Sequence, residues 1–428
     1  MKHIVFLLAA AALAVPGAVA AQDAAPGPGA DATAGRFAAA DALADSAPAS
    51  VERSVPALAG YLARAGGDDL TRARVLYRWL TGHITYDVEG LRSGRPGDPS
   101  PEAVLQRGKS VCEGFARLAE ALCNAMGLEV QVVTGWSKGY GYAPGQKFDG
   151  PTNHAWDAVR IAGRWRLMDP TWGAGYLDES LKFVRQFQEH YFLTDPQQFV
   201  FDHLPENPRW QLLEPPLTAA EYADLVYLRP MFFRAGFRIG NYDHLTIGAA
   251  DRLSVTLGVS QPVMMKAEVL DAASQRSLEG DYAFVQVGGE DAQVDVRLPR
   301  PGIYLVRMFA KPLGAAGDLD WILDYRVRAT GGAPGVVFPT AYEAFASRRV
   351  RLLAPLDGVL RAGRRYAFRL RAPGALEVVV VAGGKWTRLN PRGDEFAGEA
   401  TAAPGAVTVF AKYGSSTTYD GILRYTGR

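Results

Sequence analysis

Two stretches near the C-terminal end of the chain are written almost alike. "FAKPLGAAGDLDWILDYRV" begins at Phe309 and "FAKYGSSTTYDGILRYTG" begins at Phe410. Phe-Ala-Lys recurs after 101 residues (410 − 309) and the tyrosine of Ile-Leu-x-Tyr after 100 (425 − 325), so order and spacing repeat together. That period is the size of one β-sandwich, and from about Leu217 onward strand-like runs follow one another at turn-punctuated intervals. The C-terminal half therefore reads as two tandem all-β sandwiches, 217–333 and 334–428, divided near "TGGAPG" at 330–335.

The other end reads differently. "MKHIVFLLAAAALAVPGAVAA" has one lysine, an apolar run, a break at Pro16 and Gly17, and small residues at Ala18, Ala20 and Ala21. This is the pattern of a secretory leader over 1–21, and it implies a periplasmic or secreted protein. No later segment is long and apolar enough to span a membrane once the leader is cleaved. Residues 22–50, rich in Ala, Pro, Gly and Asp, carry too few large apolar groups to hold a fold and read as a disordered linker. Lys plus Arg number 46 against 45 Asp plus Glu, so no global field attracts nucleic acid or an anionic membrane. Peptide, protein or small-molecule partners fit this balance.

Between these ends, 51–216 forms a third unit. "SVPALAGYLAR" and "DDLTRARVLYRWLTGHITYD" carry apolar residues at threes and fours, with Asp68 or Asp69 placed to cap the second helix. A further helix begins at Cys112, its buried face defined by Phe115, Leu118, Leu122 and Met126. Short runs rich in Val, Ile and Trp follow: "EVQVVTGW", "HAWDAVRI" and "RWRLMDPTW". Helices first and sheet afterwards make this an α+β unit.

Only two cysteines are present, Cys112 and Cys123. On one helix they would stand about 16 Å apart, at 1.5 Å per residue, and a disulfide needs Cα atoms within roughly 7 Å. Cys123 reads as core. Cys112 sits at a helix N-terminus, where unpaired N–H groups and the helix dipole favour a thiolate. His154 opens a strand 42 residues later (154 − 112), and Asp169 closes the next strand 15 residues on (169 − 154). A hairpin turning near 162 and 163 brings His154 to Asp169, so the set offers a nucleophile, a base and a carboxylate to orient the base. No paired Cys or His spacing of a zinc site accompanies them, and neither a metal nor a cofactor is expected. Asp157, three residues from His154, is expected on the opposite, solvent-facing side of its strand. Trp136, Tyr140 and Tyr142, on a Gly-rich loop, are expected to border the cleft and bind substrate. An oxyanion hole would draw on the Cys112 N–H, with Tyr86 or a Trp indole as the second donor. His190 and His203 read as packing at a domain junction.

"SVCEGFARL", "NHAWDAVRI" and "WRLMDPTWG" resemble the Cys, His and Asp blocks of the transglutaminase-like superfamily, in the same order and at comparable spacing. "GWSKGYGYAPG", "HYFLTDPQQFVFDHLPENPRWQLL" and the repeated "FAK…ILxY" modules extend the resemblance to the kyphoscoliosis peptidase-like group, over roughly Asp68 to Arg428. The resemblance implies a papain-like core with Cys112 as nucleophile, His154 as general base and then acid, and Asp169 as orienter. One departure is visible: the position after His-Ala-Trp is commonly Asn and here is Asp157. The implied activity is cysteine hydrolysis of peptide or protein amide bonds. Acyl transfer to amines would use the same three residues, and a protein-binding scaffold would use the fold and the sandwiches alone.

Overall fold

A computed structural model describes residues 30–178, 180–414 and 418–428. The leader expected over 1–21, and 22–29 of the expected linker, lie outside the described residues. The remainder of that linker is corrected: α1 (Ala30–Asp45) is a helix docked on the core. Phe37, Ala40 and Ala44 are buried, and Phe37 meets Phe192 edge-on at 5.8 Å. Three small or aromatic residues at helical spacing suffice, because ion pairs supplement them. Arg74 donates to Asp41 at 2.7 Å and to Glu189 at 2.6 Å, and Arg78 binds Asp45 at 2.8 Å.

The core continues with α2 (Val55–Leu62) and α3 (Asp69–His83). Asp68 caps α3, accepting from the Thr71 N–H at 2.9 Å. A short segment β1 (Thr85–Tyr86) leads through α4 (Val88–Ser93) and α5 (Pro101–Arg107) to β2 (Lys109–Ser110). β1 and β2 pair in parallel, with Tyr86 opposite Ser110. Next come α6 (Cys112–Ala125), β3 (Val130–Ser137), β4 (His154–Ile161), β5 (Arg164–Met168) and α7 (Pro170–Ala174). The hairpin β6 (Gly175–Leu177) and β7 (Phe183–Arg185), then α8 (Pro196–Phe199) and β8 (His203–Pro205), complete the unit. One antiparallel sheet runs in the order β5-β4-β3-β8. Phe115, Leu118, Leu122 and Met126 of α6 are buried, and so is Cys123. Gly114 has no room for a Cβ, which would collide with Ser110 and Val104, so α6 packs closely on the segment that delivers Cys112. Both cysteines are free thiols. Among the described residues no helix is long and apolar enough to cross a membrane.

Two sandwiches follow, each with its own buried core. The repeated motifs occupy equivalent hairpins, Gly302–Pro312 with Asp320–Ala329 and Gly405–Tyr413 with Asp420–Gly427. In both, the second strand also pairs in parallel with a short strand, 246–249 in one and 359–360 in the other. The register slips at the same point, between Met308 and Phe309 and between Val409 and Phe410. Leu323 and Trp321 face consecutive partners, as do Leu423 and Gly421, which leaves Ile322 and Ile422 as the extra residues of two matching bulges. Both isoleucines are fully buried. The recurring Phe and Ile are thus the two sides of a bulge that re-aims an apolar side chain into each core.

Arg74 is 3% exposed and also lies over the rings of Phe37, Phe187 and Phe192 at 4.9 to 5.1 Å. Arg74→Ala removes the ion pairs and the stacked guanidinium together. It is expected to cost about 2–3 kcal/mol in urea unfolding and to make the peptide bonds of α1 the first sites of limited proteolysis.

Candidate active site

The hairpin joining β4 to β5 turns at Ala162 and Gly163, both at positive φ (48° and 78°) as a tight two-residue connection requires. Its register, with Asp157 opposite Met168, carries His154 past the end of β5. Asp169 therefore reaches His154 across a diagonal. Pro170 opens α7, and Asp169 caps it: Oδ1 accepts the N–H groups of Thr171 at 2.8 Å and Trp172 at 3.1 Å. The cap fixes the carboxylate and leaves Oδ2 to meet His154 Nε2 at 2.7 Å. The Cys112 thiol also neighbours this imidazole, and the His154 ring and the Ala155 N–H both favour its charged form. Cys112 is the first residue of α6, preceded by Val111, whose side chain offers no cap. The orphan N–H groups of the first turn are therefore free of side-chain competition.

Electrostatics follow from this geometry. Burial by itself would raise the Cys112 thiol, but the hydrogen bond to His154 and its charge carry the thiol below its ordinary value. Burial would likewise depress His154, yet the Asp169 charge and hydrogen bond, with Cys112 beyond, lift it to about 10. Asp169, wholly buried, would be raised by desolvation and is instead held well below the usual carboxylate range by His154, then His203. The arrangement shifts both groups toward a thiolate beside an imidazolium.

His203, assigned by sequence to domain packing, belongs here instead. Its Nε2 lies 3.1 Å from Asp169 Oδ2 and its Nδ1 2.6 Å from Asp202 Oδ1. It stands 34 residues beyond Asp169 (203 − 169) on β8, and nothing in its local pattern marks the contact. His190 does pack at the junction, stacked on Phe233 at 5.4 Å and pushed down to about 4 by burial. His154, Asp169 and His203 place ligand-type atoms within 4.8 Å of one another. His154 and His203 both hydrogen-bond Asp169 Oδ2, and Oδ1 is taken by the α7 cap, so both carboxylate oxygens are already engaged within the protein.

Tyr86 stands beside the thiol: its phenol is raised by burial first and by the negative charge of Cys112 next. The loop aromatics make other contacts or face solvent. Trp136 donates to the Gly150 carbonyl at 3.0 Å, and its ring joins Tyr142, Phe148, Leu204 and Tyr222 in a separate cluster. Tyr142 packs on Tyr227 at 4.7 Å, and Tyr140 is 67% exposed. The ring that lies over the site is Trp172, 5.3 Å from His154 and 4.5 Å from His203. Its signal was the third position after Asp169 in "DPTWG". The Gly-rich loop meets the site at Gly139, whose backbone lies against Trp172 too closely for a Cβ.

Residues 56–170 match the model of the transglutaminase-like superfamily. The chain carries a transglutaminase-like core. Residues 219–340 match the KY-like, immunoglobulin-like domain, so the first sandwich is of that type. Kyphoscoliosis peptidase of Mus musculus is 30% identical over 287 residues, 67% of this chain and 42% of that protein. Kyphoscoliosis peptidase of Homo sapiens is 31% identical over 273 residues, 63% of this chain and 40% of that protein. Hillarin of Drosophila melanogaster is 29% identical over 275 residues, covering 56% of this chain and 32% of its own length. The match spans less than half the length of each of these relatives.

Asp157 is also corrected: it is fully buried, not solvent-facing, and neither carboxyl oxygen has a hydrogen-bond partner. Burial, then Asp169 and Glu120, push its pKa well above the carboxylate range, so the folded protein holds a proton there that the unfolded chain releases. Stability then falls as pH rises above the unfolded value of about 3.9. Asp157→Asn, close in shape and never charged, is expected to stabilise by about 1–3 kcal/mol near pH 8 and to be neutral near pH 3.5. Urea unfolding at both pH values measures the difference.

Proposed function

We propose that this chain is a cysteine hydrolase acting on amide bonds of peptides or proteins. The observation that carries this reading is the buried 2.7 Å contact between His154 Nε2 and Asp169 Oδ2, with Cys112 on the imidazole's other side at a helix N-terminus. In this reading the Cys112 thiolate attacks the carbonyl carbon, and negative charge moves to the carbonyl oxygen. In this reading the Cys112 N–H and the Tyr86 hydroxyl donate to that oxygen. His154 then gives its proton to the nitrogen, the C–N bond breaks, and an amine leaves behind a thioester. Water, deprotonated by His154, attacks the thioester, releasing a carboxylic acid and restoring the thiolate and the imidazolium. Asp169 remains a carboxylate throughout and holds the ring. The sandwiches are read as protein-docking modules beside the core, and export through residues 1–21 is part of the same proposal.

Iodoacetamide labelling in a Cys123→Ala background tests the pair. Cys112 is expected to react well below the ordinary thiol range, and His154→Ala is expected to abolish that low-pH reactivity. On peptide amides, His154→Ala should lower turnover about 10²–10⁴-fold, with Cys112→Ala inactive. With an amine donor present, a free acid product supports hydrolysis. Incorporation of the donor moves the reading to acyl transfer, and a Cys112 that titrates as a free thiol and ignores His154 moves it to a scaffold.

A further inference from the structure

Beyond the three residues of the proposed mechanism, the hydrogen bonds continue inward. Cys112 meets His154, His154 meets Asp169, Asp169 Oδ2 meets His203 Nε2, and His203 Nδ1 meets Asp202 Oδ1. Asp202 Oδ2 in turn accepts from the Tyr191 hydroxyl at 2.9 Å. The His203 side chain is wholly inaccessible, stacked on Phe199 at 4.0 Å and set against Trp156 and Trp172. Each ring nitrogen of His203 therefore lies within hydrogen-bond distance of a carboxylate oxygen, Nε2 of Asp169 and Nδ1 of Asp202. A histidine that served only to fill space would not be given two buried carboxylates at once, since each costs desolvation that a Phe or Leu would avoid. Asp169 Oδ2 is a shared acceptor. Its direction toward His154 is set from one side by the α7 cap and from the other by His203.

We propose that His203, anchored by Asp202, is a positioning residue that fixes Asp169 and through it the orientation and proton of His154. The assignment rests on the hydrolase reading for its catalytic meaning, but the geometry it predicts is measurable without turnover. Groups facing the pair from neighbouring elements are His154, Asp169 and Tyr191, with His190 acting on both His203 and Asp202, and Lys138, Tyr222, Tyr227 and Arg229 on Asp202.

His203→Phe keeps a ring on Phe199 and deletes both polar contacts, while His203→Gln keeps an N–H that can reach Asp169. Two readouts are taken on the full chain: the pH profile of Cys112 alkylation, and the proton resonance of the His154–Asp169 hydrogen bond. In His203→Phe the alkylation midpoint is expected to rise by about one unit, a roughly tenfold slower reaction near pH 6, and the resonance to shift or vanish. His203→Gln is expected to restore both substantially. A packing role would lower the melting temperature of both variants while leaving midpoint and resonance in place, and that result overturns the proposal. If His203→Phe does not fold, Asp202→Asn is expected to move both readouts in the same direction by a smaller amount, and no movement overturns it. If wild-type Cys112 titrates as an ordinary thiol, the hydrolase reading fails and the resonance alone decides: its response to His203→Phe upholds the positioning role, and its indifference ends it.

Discussion

One carboxylate organises the site. Asp169 spends one oxygen on the first turn of α7 and the other on two imidazoles. Because the same side chain ends β5, starts α7 and orients His154, the local fold and the chemistry are not separable demands. Pro170 at the first helical position, which lacks an N–H of its own, makes the cap possible without leaving a donor unmet. The hairpin turn at Ala162 and Gly163 sets the register that delivers the carboxylate, and the close fit of Gly114 sets where α6 delivers the thiol. A buried anion of this kind is tolerable only because every lone pair is engaged and the nearest partner carries a compensating charge.

Much of this was legible in the chain. Cys112 at the head of an apolar-periodic helix, His154 at the start of a strand and Asp169 before a proline are local patterns, and local patterns survive folding. The 100-residue repeat was legible for a similar reason, since a bulge fixes the identity of the residues on both of its sides. His203 was not, because its partners lie 34 residues back along the chain and on the adjacent Asp202, and no periodicity encodes such a meeting. Asp157 misled through a sound rule applied to the wrong case: alternation separates solvent from core only in a sheet with one covered face, and β4 is covered on both around that position. The helix α1 was hidden because Ala-rich, acidic sequence resembles a linker until its aspartates find Arg74 and Arg78. Trp136 and Tyr142 were placed near the cleft by loop composition, whereas their rings are claimed by Phe148, Tyr222 and Tyr227.

The comparison with known proteins divides the chain at much the same places as the packing does, with one exception that matters. Where the transglutaminase-like core meets the KY-like domain, Lys138, the residue after β3, is fully buried. Its ammonium donates to the Leu225 carbonyl at 3.1 Å and sits 4.5 Å from the Tyr222 ring. Burial pushes its pKa down to about 7. Its own carbonyl accepts from the Tyr227 hydroxyl, and its N–H donates to the carbonyl of Asp202.

Lys138 therefore makes the line between the two units a shared wall. Leu225, Tyr222 and Tyr227 belong by sequence to the second domain, yet they close the pocket around a lysine of the first. A core severed at residue 217 would present to water a strand end shaped for a lid it no longer has, and the backbone of Asp202 would lose a neighbour held in place from the far side. Homology draws the boundary between the two units, and the packing around Lys138 runs across it.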